Sequence, residues 1–231
     1  MKKILWGLAL AGLSLGSAVP SHAAKSADLK INGRITPPAC NLSFTGAIVD
    51  FGTRTFGSLE PGGTILPTQT TTMNIVCDGP TRVSFSAIDN RPGTAIASTE
   101  VTVWPTLGST YDRAVWGLGT TGNANAKIGA LEVAIPSGSI LVDGKNLTTS
   151  GPLVLVAPID SSTWAAGGYS SLRDVIPGRQ LSVGSTDYLP QAFSNLSVPL
   201  QLSAVIARPA MLPAEDEIIL DGSMTFTLRY L

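Results

Sequence analysis

Few side chains in this 231-residue sequence are able to carry catalysis or bind a metal. It holds two cysteines, Cys40 and Cys77, and a single histidine, His22. A serine hydrolase triad needs a histidine base, and zinc sites take their four ligands mainly from cysteines and histidines. Because two thiols alone cannot complete such a site, we expect no catalytic residue, no metal centre and no cofactor.

Two further patterns imitate binding motifs. Gly117, Gly119 and Gly122 have the spacing of a dinucleotide-binding turn, but that turn works only ahead of a helix in a βαβ unit. The following residues continue as strand, so a glycine-rich hairpin loop is the better interpretation. The adjacent acids 215–217 cannot by themselves supply the six or more oxygens of a calcium site. A glycosidase-type carboxylate pair stays open, since any two of the 16 acidic residues could meet.

The amino-terminal residues have the three-part layout of a secretory signal. Two lysines precede an apolar run over residues 4–15, and small residues end at Ala23, where a signal peptidase would cut. The apolar run is too short for a permanent membrane helix. We therefore predict that residues 1–23 are removed on export and that His22 is lost with them.

Export also bears on charge and on the cysteines. Two of the 15 basic residues leave with the signal, so the mature chain is weakly acidic and has no electrostatic reason to bind nucleic acid. In an oxidising compartment a disulfide between Cys40 and Cys77 is the expected state. In the chain-entropy model it stabilises the fold by about 4 kcal/mol.

Apolar residues recur with a period of two along the mature chain, which predicts β-strands. Charged residues are only 13% of the sequence, about half the usual share, and no window has helical periodicity. About nine or ten short strands bounded by turn residues favour an antiparallel β-sandwich. Residues 158–192, rich in Ser and Gly, are predicted to be a long loop or insertion. The predicted strands cover residues 29–35, 48–51, 72–77, 83–87, 101–103, 114–118, 131–135, 140–142, 153–156, 198–206 and 218–230.

The last of these segments has the most regular alternation. Its even positions form one apolar face of a long strand, because successive side chains point to opposite sides. An ordinary terminal strand of a sandwich explains this pattern as well. An outer-membrane barrel does not, since aromatics are only 6% of the chain and barrels need aromatic girdles. The residues of this face are Ile218, Leu220, Gly222, Met224, Phe226, Leu228 and Tyr230.

Four features in this order resemble the subunits (pilins) of chaperone–usher fimbriae of Gram-negative bacteria. A hydrophobe-x-Gly-x-hydrophobe segment at 31–35 leads to Cys40, and the tetrapeptide Val-Asp-Phe-Gly follows at 49–52. Cys77 comes next, and the chain closes with Thr-Phe-Thr-Leu-Arg-Tyr at 225–230. The resemblance covers residues 25–90 and 198–231, whereas residues 95–195 do not match.

This resemblance implies an immunoglobulin-like antiparallel β-sandwich that lacks its last strand and is completed by a donated one. The implied layout is a signal peptide (1–23), a donor extension (24–36) and a sandwich domain (37–231) with a long middle insertion. The chain would be a structural subunit without enzymatic activity, exported through the periplasm to the surface fimbrium. Its implied partners are a periplasmic pilus chaperone, an outer-membrane usher and neighbouring fimbrial subunits.

The resemblance also implies roles for residues at both ends. Leu29, Ile31 and Ile35 would fill a groove in the next subunit, with Gly33 where the groove admits no side chain. The even residues 218–230 would form the groove strand that receives the chaperone or donor. The short extension, the position of Gly222 and the length of the chain depart from typical shaft pilins, so the place in the fibre is open.

Alternatives remain for each end and for the middle. Residues 25–36 could be an ordinary first strand of the same sheet. A lectin-like fimbrial adhesin could bind a glycan receptor through residues 95–195, and a periplasmic hydrolase is the more remote possibility. Trp104, Trp116 and Trp164 could floor a sugar site if exposed, although core tryptophans are commoner.

Overall fold

The computed structural model divides into an N-terminal segment, residues 1–36, and a body, residues 37–231. The predicted signal peptide, Ala114 and two of the clustered acids, Glu215 and Asp216, lie outside the described residues. The structure describes residues 26–36, 38–105, 107, 115–122, 125–136, 138–147, 153–167, 178–213 and 217–231.

Strands dominate the described part of the body, which contains only three short 3-10 turns, at Phe56–Ser58, Ser98–Glu100 and Pro209–Met211, as helical elements. The strands are β1 (Cys40–Phe44), β2 (Thr64–Ile65), β3 (Gln69–Thr81), β4 (Val83–Asp89), β5 (Val115–Gly117), β6 (Thr120–Thr121), β7 (Ala126–Lys127), β8 (Gly129–Ala134), β9 (Leu141–Val142), β10 (Lys145–Asn146), β11 (Leu153–Pro158), β12 (Ala165–Ala166), β13 (Arg179–Gly184), β14 (Phe193–Ile206) and β15 (Met224–Tyr230).

These strands form two main antiparallel sheets. The first has the order β1-β3-β14-β8-β5, with β2 and β9 pairing with β14, and β10 pairing with β9. The second has the order β12-β11-β13-β4-β15, and β6 and β7 make a small separate hairpin. The prediction of an all-β, immunoglobulin-like antiparallel sandwich is confirmed.

The core lies between the two sheets and follows the period-two pattern that predicted it. Met73 and Ile75 of β3 are fully buried, as are Phe85 of β4 and Leu181 of β13 from the opposite sheet. Alternation puts every second side chain inside, and burying each large aliphatic side chain contributes about 1.5–3 kcal/mol. This shared core holds the two sheets face to face.

The longest strand, β14, organises the first sheet because it pairs with β2, β3, β8 and β9. A register shift between Phe193 and Asn195 interrupts its ladder with β3. Between these two positions β14 advances by two residues and β3 by five, from Thr81 to Val76, so the extra residues lie in β3. Phe193 and Leu196 of β14 are both buried although they are three positions apart. Asp143 stabilises this bulge, since its Oδ1 accepts hydrogen bonds from the backbone N–H groups of Ser194 (3.0 Å) and Asn195 (2.8 Å).

The prediction of a loop or insertion over residues 158–192 is wrong, because this range contains β13, a central strand of the second sheet. The strand escaped the alternation test because its polar residues are buried as well. Gln180 accepts a hydrogen bond from Ser84 Oγ (2.8 Å) and donates to the carbonyls of Pro158 and Ser161 (3.1 and 3.0 Å). Ser182 Oγ donates to the Val83 carbonyl (2.8 Å).

Other boundaries also differ from the sequence prediction. The segments 48–51 and 101–103 form no strand, and the predicted strand 72–77 is part of the longer β3. The closing strand begins only at Met224, so Ile218, Leu220 and Gly222 lie outside it. The hairpin at Asp143-Gly144 is confirmed between β9 and β10, with positive φ at both turn residues (48° and 78°).

The disulfide prediction is confirmed. Cys40 and Cys77 are register partners in the β1–β3 pair and are bonded to each other, 37 positions apart in sequence. The bond therefore fixes the edge strand β1 to the long strand β3. β1 contributes only five residues to the sheet, so the covalent link holds an element with little area of its own.

Replacing both cysteines by serine is expected to lower the free energy of unfolding by about 4 kcal/mol, because the unfolded chain regains the freedom that the cross-link removes. Urea unfolding followed by circular dichroism measures this difference. Dithiothreitol should reproduce the loss in the wild-type chain and leave the Cys40→Ser, Cys77→Ser variant unchanged. Equal unfolding midpoints for wild type and variant would contradict the prediction.

Candidate functional site

The closing strand β15 leaves one backbone edge without a partner among the described residues. It is the last strand of its sheet and pairs only with β4. The ladder is fixed by hydrogen bonds from Asn90 N–H to the Ser223 carbonyl (2.9 Å) and from Leu231 N–H to the Arg82 carbonyl (3.0 Å). Because bonded and non-bonded pairs alternate in an antiparallel ladder, the even residues of β15 direct their N–H and C=O groups away from β4.

The edge strand β1 of the opposite sheet is open in the same way. Thr45 N–H donates to the Thr72 carbonyl and Asp78 N–H donates to the Ala39 carbonyl, both at 2.9 Å. Odd residues of β1 therefore bond to β3, and the N–H and C=O groups of Leu42 and Phe44 point outward. Each sheet thus ends in an edge that could accept another strand.

The two free edges approach each other at one end. The Cys40 N–H, which also points away from β3, donates a hydrogen bond of 2.8 Å to the hydroxyl oxygen of Tyr230. Farther along, the rings of Phe44 and Phe226 meet edge to face with centroids 5.1 Å apart. These contacts link β1 to β15 through side chains, although no backbone ladder joins the two strands.

Beyond the Phe44–Phe226 contact the edges separate and cavities open between them. One cavity has a volume of about 260 Å³ and is lined by Trp116, Leu118, Leu200 and Met224. A second of about 430 Å³ continues toward Leu212 and Ile218. Both are lined by Val49, Phe51 and Leu220, so they form one elongated opening. We call the opening between residues 40–57 and 217–230 the seam.

Half-buried apolar side chains border the seam on both sides and pack against the core from its rim. They include five of the predicted groove-strand residues: Ile218, Leu220, Met224, Phe226 and Leu228. Tyr230 is 52% exposed. An apolar rim beside an unpaired edge is a surface that soluble proteins normally cover. Five of the predicted groove residues line the two cavities, namely Ile218, Leu220, Gly222, Met224 and Phe226, whereas Leu228 and Tyr230 line neither.

Gly222 borders the same groove from residues 217–223, which form no strand. A Cβ added at this glycine would lie 3.0 Å from Leu118 Cδ2, so a side chain there would press on a core residue. Because Gly222 has no side chain, the backbone there can lie close to Leu118 beside the smaller cavity. The glycine thus has a packing role at the seam.

An ion pair holds this rim in place. The Arg91 guanidinium makes two hydrogen bonds of 2.7 Å to the carboxylate of Asp221, and Asp221 N–H donates to the Leu118 carbonyl (3.0 Å). Asp89 accepts hydrogen bonds from the backbone of Arg91 (2.8 Å) and Gly117 (2.9 Å). The hydrogen bonds from Arg91 hold the pKa of Asp221 below its usual value, and the same bonds raise the pKa of Arg91.

The N-terminal segment carries the predicted donor residues. No strand forms over residues 26–36, and Leu29, Ile31 and Ile35 are 86%, 88% and 99% exposed. A Cβ added at Gly33 would meet no atom within 4 Å. Three large aliphatic side chains therefore face solvent at alternate positions. Their assignment as donor residues stays a prediction.

Further predictions from the sequence concern metal binding, membrane helices and the glycine-rich stretch. Within the described residues no three His, Cys, Asp or Glu side chains lie close enough to hold a metal ion. No helix there is long and apolar enough to cross a membrane. The glycine-rich stretch is a hairpin loop, as expected, with Gly119 and Gly122 at positive φ beside the β6–β7 hairpin.

The three tryptophans of the predicted sugar site do not converge on one surface. Trp116 is buried at the seam, whereas Trp104 is half-buried against the core. Trp164 lines a separate shallow cleft of about 460 Å³ with Arg82 and Tyr230, where Arg229 pairs with Asp160. Two of the three therefore pack in or against the core, which the sequence analysis gave as the commoner role of tryptophan.

Two rim residues were missed as groove residues by the sequence analysis. Phe44 lies at the end of β1, and Phe51 belongs to a segment predicted to be a strand. The alternation of Cys40, Leu42 and Phe44 was a signal that this edge faces the core. Nothing in the sequence indicates that residues 46–53 form no strand, because that depends on what lies beside them in the fold.

Replacing Asp221 by Asn is expected to lower the melting temperature at neutral pH, because the variant loses the ion pair with Arg91. The folded-state pKa of Asp221 lies below the ordinary value of 3.8, so the stabilisation is present above that value and is lost as the pH falls through the folded pKa. The difference between wild type and variant should shrink accordingly in acid. Thermal unfolding from pH 7 downward measures it.

Arg91→Ala provides the matched control for this series. It should reproduce the effect of Asp221→Asn, and the double variant should add little, since both changes remove the same interaction. A wild-type advantage that persists unchanged in strong acid would refute the assignment.

Comparison with known proteins gives two matches. Residues 29–132 match a family model described as "Protein of unknown function (DUF1120)". Protein GltF of Escherichia coli (strain K12) is 30% identical over an alignment of 255 positions, which covers 100% of this chain and 99% of that protein. With this identity over nearly the full length of both proteins, the chain belongs to the same family as GltF.

Proposed function

We propose that this chain is a structural subunit of a chaperone–usher fimbria, assembled at the bacterial surface by exchange of donated strands. The observation that carries the proposal is the seam. It combines an unpaired β15 edge, an opposing open β1 edge and a row of half-buried apolar side chains between them. A strand from another polypeptide would satisfy the backbone groups and cover the apolar rim in one step.

The dimensions of the two predicted partners agree. The even residues from Leu220 to Phe226, which line the smaller cavity, and the odd residues from Leu29 to Ile35 both span roughly 20 Å when extended. Four inward positions of a donor, three with aliphatic side chains and one at Gly33, thus face four positions of the receiving segment. Burial of Leu29, Ile31 and Ile35 would contribute about 5–9 kcal/mol before ordering costs, and the backbone bonds add to it.

The N-terminal segment supports the same proposal. Its apolar side chains are exposed, although a soluble chain gains stability by burying such residues. A segment that is destined for another subunit has this property before assembly. In the proposed cycle a periplasmic chaperone covers the seam first, and at the usher the extension of a neighbouring subunit replaces it.

The placement of the middle region favours a structural subunit over the lectin-like adhesin. Residues 95–195 contribute β5 and β8 to the first sheet and β11 and β13 to the second. The described part of this region thus contributes strands to the sandwich, which supports a structural subunit.

A synthetic peptide of residues 24–36 is expected to raise the melting temperature of the purified chain, because it binds the folded state at the seam. At a peptide concentration 100 times the dissociation constant, the free energy of unfolding should rise by about 2.7 kcal/mol. Differential scanning calorimetry with increasing peptide measures the shift.

The matched control is a peptide of equal length with Leu29, Ile31 and Ile35 replaced by serine, which keeps the polar face and removes the apolar one. It should give no shift. The proposal fails if neither peptide shifts the transition or if both shift it equally.

A further inference from the structure

Trp116 of β5 has an unsatisfied polar atom at the seam. Its side chain is only 1% exposed and lines the smaller, 260 Å³ cavity. The indole Nε1–H finds no hydrogen-bond acceptor in the described structure. Buried polar groups are almost always paired, and leaving one unpaired costs the full penalty of its desolvation. Trp116 thus combines an unpaired donor with a place in the lining of the cavity, so a strand that enters the seam could bring an acceptor to it.

The other polar side chains around this cavity already have partners. Thr71 Oγ1 donates to the Gly46 carbonyl (2.7 Å), and Ser223 Oγ accepts from the side chain of Asn90 (2.9 Å). The rest of the lining is largely apolar, including Leu131, Leu200 and Leu202. The Trp116 N–H is thus a single polar feature in an otherwise hydrophobic pocket.

An added strand would place alternate side chains in this pocket, because every second residue of a strand faces the same side. The N-terminal segment of this chain has an odd face made of Ala27, Leu29, Ile31, Gly33 and Ile35. None of these side chains contains a hydrogen-bond acceptor. The acceptors of this segment, such as Asp28 and Asn32, lie on the even face and would point away from the groove.

We propose that the occupant of the seam is a strand from a different protein, which carries a hydroxyl or carboxamide oxygen on its inward face and presents it to the Trp116 N–H. This inference rests on the proposed function and specifies the partner. A second copy of the chain would fill the groove with apolar side chains and leave the donor unpaired. The subunit would therefore stand between unlike neighbours in the fibre.

The test measures whether Trp116 recognises an acceptor. Peptides of residues 24–36 are made unsubstituted and with serine at one odd position each, from Ala27→Ser to Ile35→Ser. Their dissociation constants are determined for the purified wild-type chain, for Trp116→Phe and for Trp164→Phe, whose indole lies at the separate cleft. The ratio of constants between chains isolates the pairwise interaction from the general cost of each serine.

For each peptide, the dissociation constant for Trp116→Phe is divided by that for the wild-type chain. For one serine peptide this ratio is expected to be roughly two- to twelve-fold larger than for the unsubstituted peptide. For Trp164→Phe, the ratio of its dissociation constant to that of the wild-type chain should be the same for every peptide. Equal ratios for all peptides on Trp116→Phe would overturn the inference and leave the proposed function standing. Failure of every peptide to bind any chain would overturn the proposed function itself.

A measurement on the wild-type chain keeps the test valid if Trp116→Phe does not fold. The indole N–H resonance of Trp116 in the nuclear magnetic resonance spectrum should move downfield with the acceptor peptide and not with the unsubstituted one. Identical spectra with both peptides would contradict the inference.

Discussion

The sandwich depends on a core between two sheets whose edge strands β1 and β15 are joined by no backbone ladder in the described residues. Side-chain contacts, the Tyr230 hydroxyl on Cys40 N–H and the Phe44–Phe226 pair, hold the two edges near each other at one end. Beyond that point the rims diverge and core residues border a cavity. Backbone groups and apolar side chains are thus unsatisfied at the same place, and one extended strand would serve both.

The elements around the opening are fixed by interactions that do not require an occupant. The disulfide binds β1 to β3, and the Arg91–Asp221 pair holds the opposite rim against the turn after β4. Residues 217–223 can therefore keep an extended path without a ladder. A groove whose walls are already in position loses less conformational entropy when a strand enters it.

The strands with one apolar and one polar face could be predicted from the sequence. A strand that is buried on both faces could not. Alternation in β14 and β15, with two cysteines in a chain predicted to be exported, was enough for the sandwich and the disulfide. In β13 the polar Gln180 and Ser182 are buried through hydrogen bonds, so a central strand had the composition of a loop. Residues 48–51 have strand composition but no adjacent partner. The unpaired Trp116 N–H depends on three-dimensional placement, which no local pattern reports.

The hydrogen bond between Tyr230 and Cys40 has a consequence for alignment. It occupies the outward backbone donor at the start of β1 and joins the two rims there, so a strand that enters the seam as proposed would end at this point. A shift of one residue would exchange the inward and outward faces of such a strand. A fixed limit at one end therefore restricts the number of alignments that the groove can accept, and it does so with a single hydroxyl group.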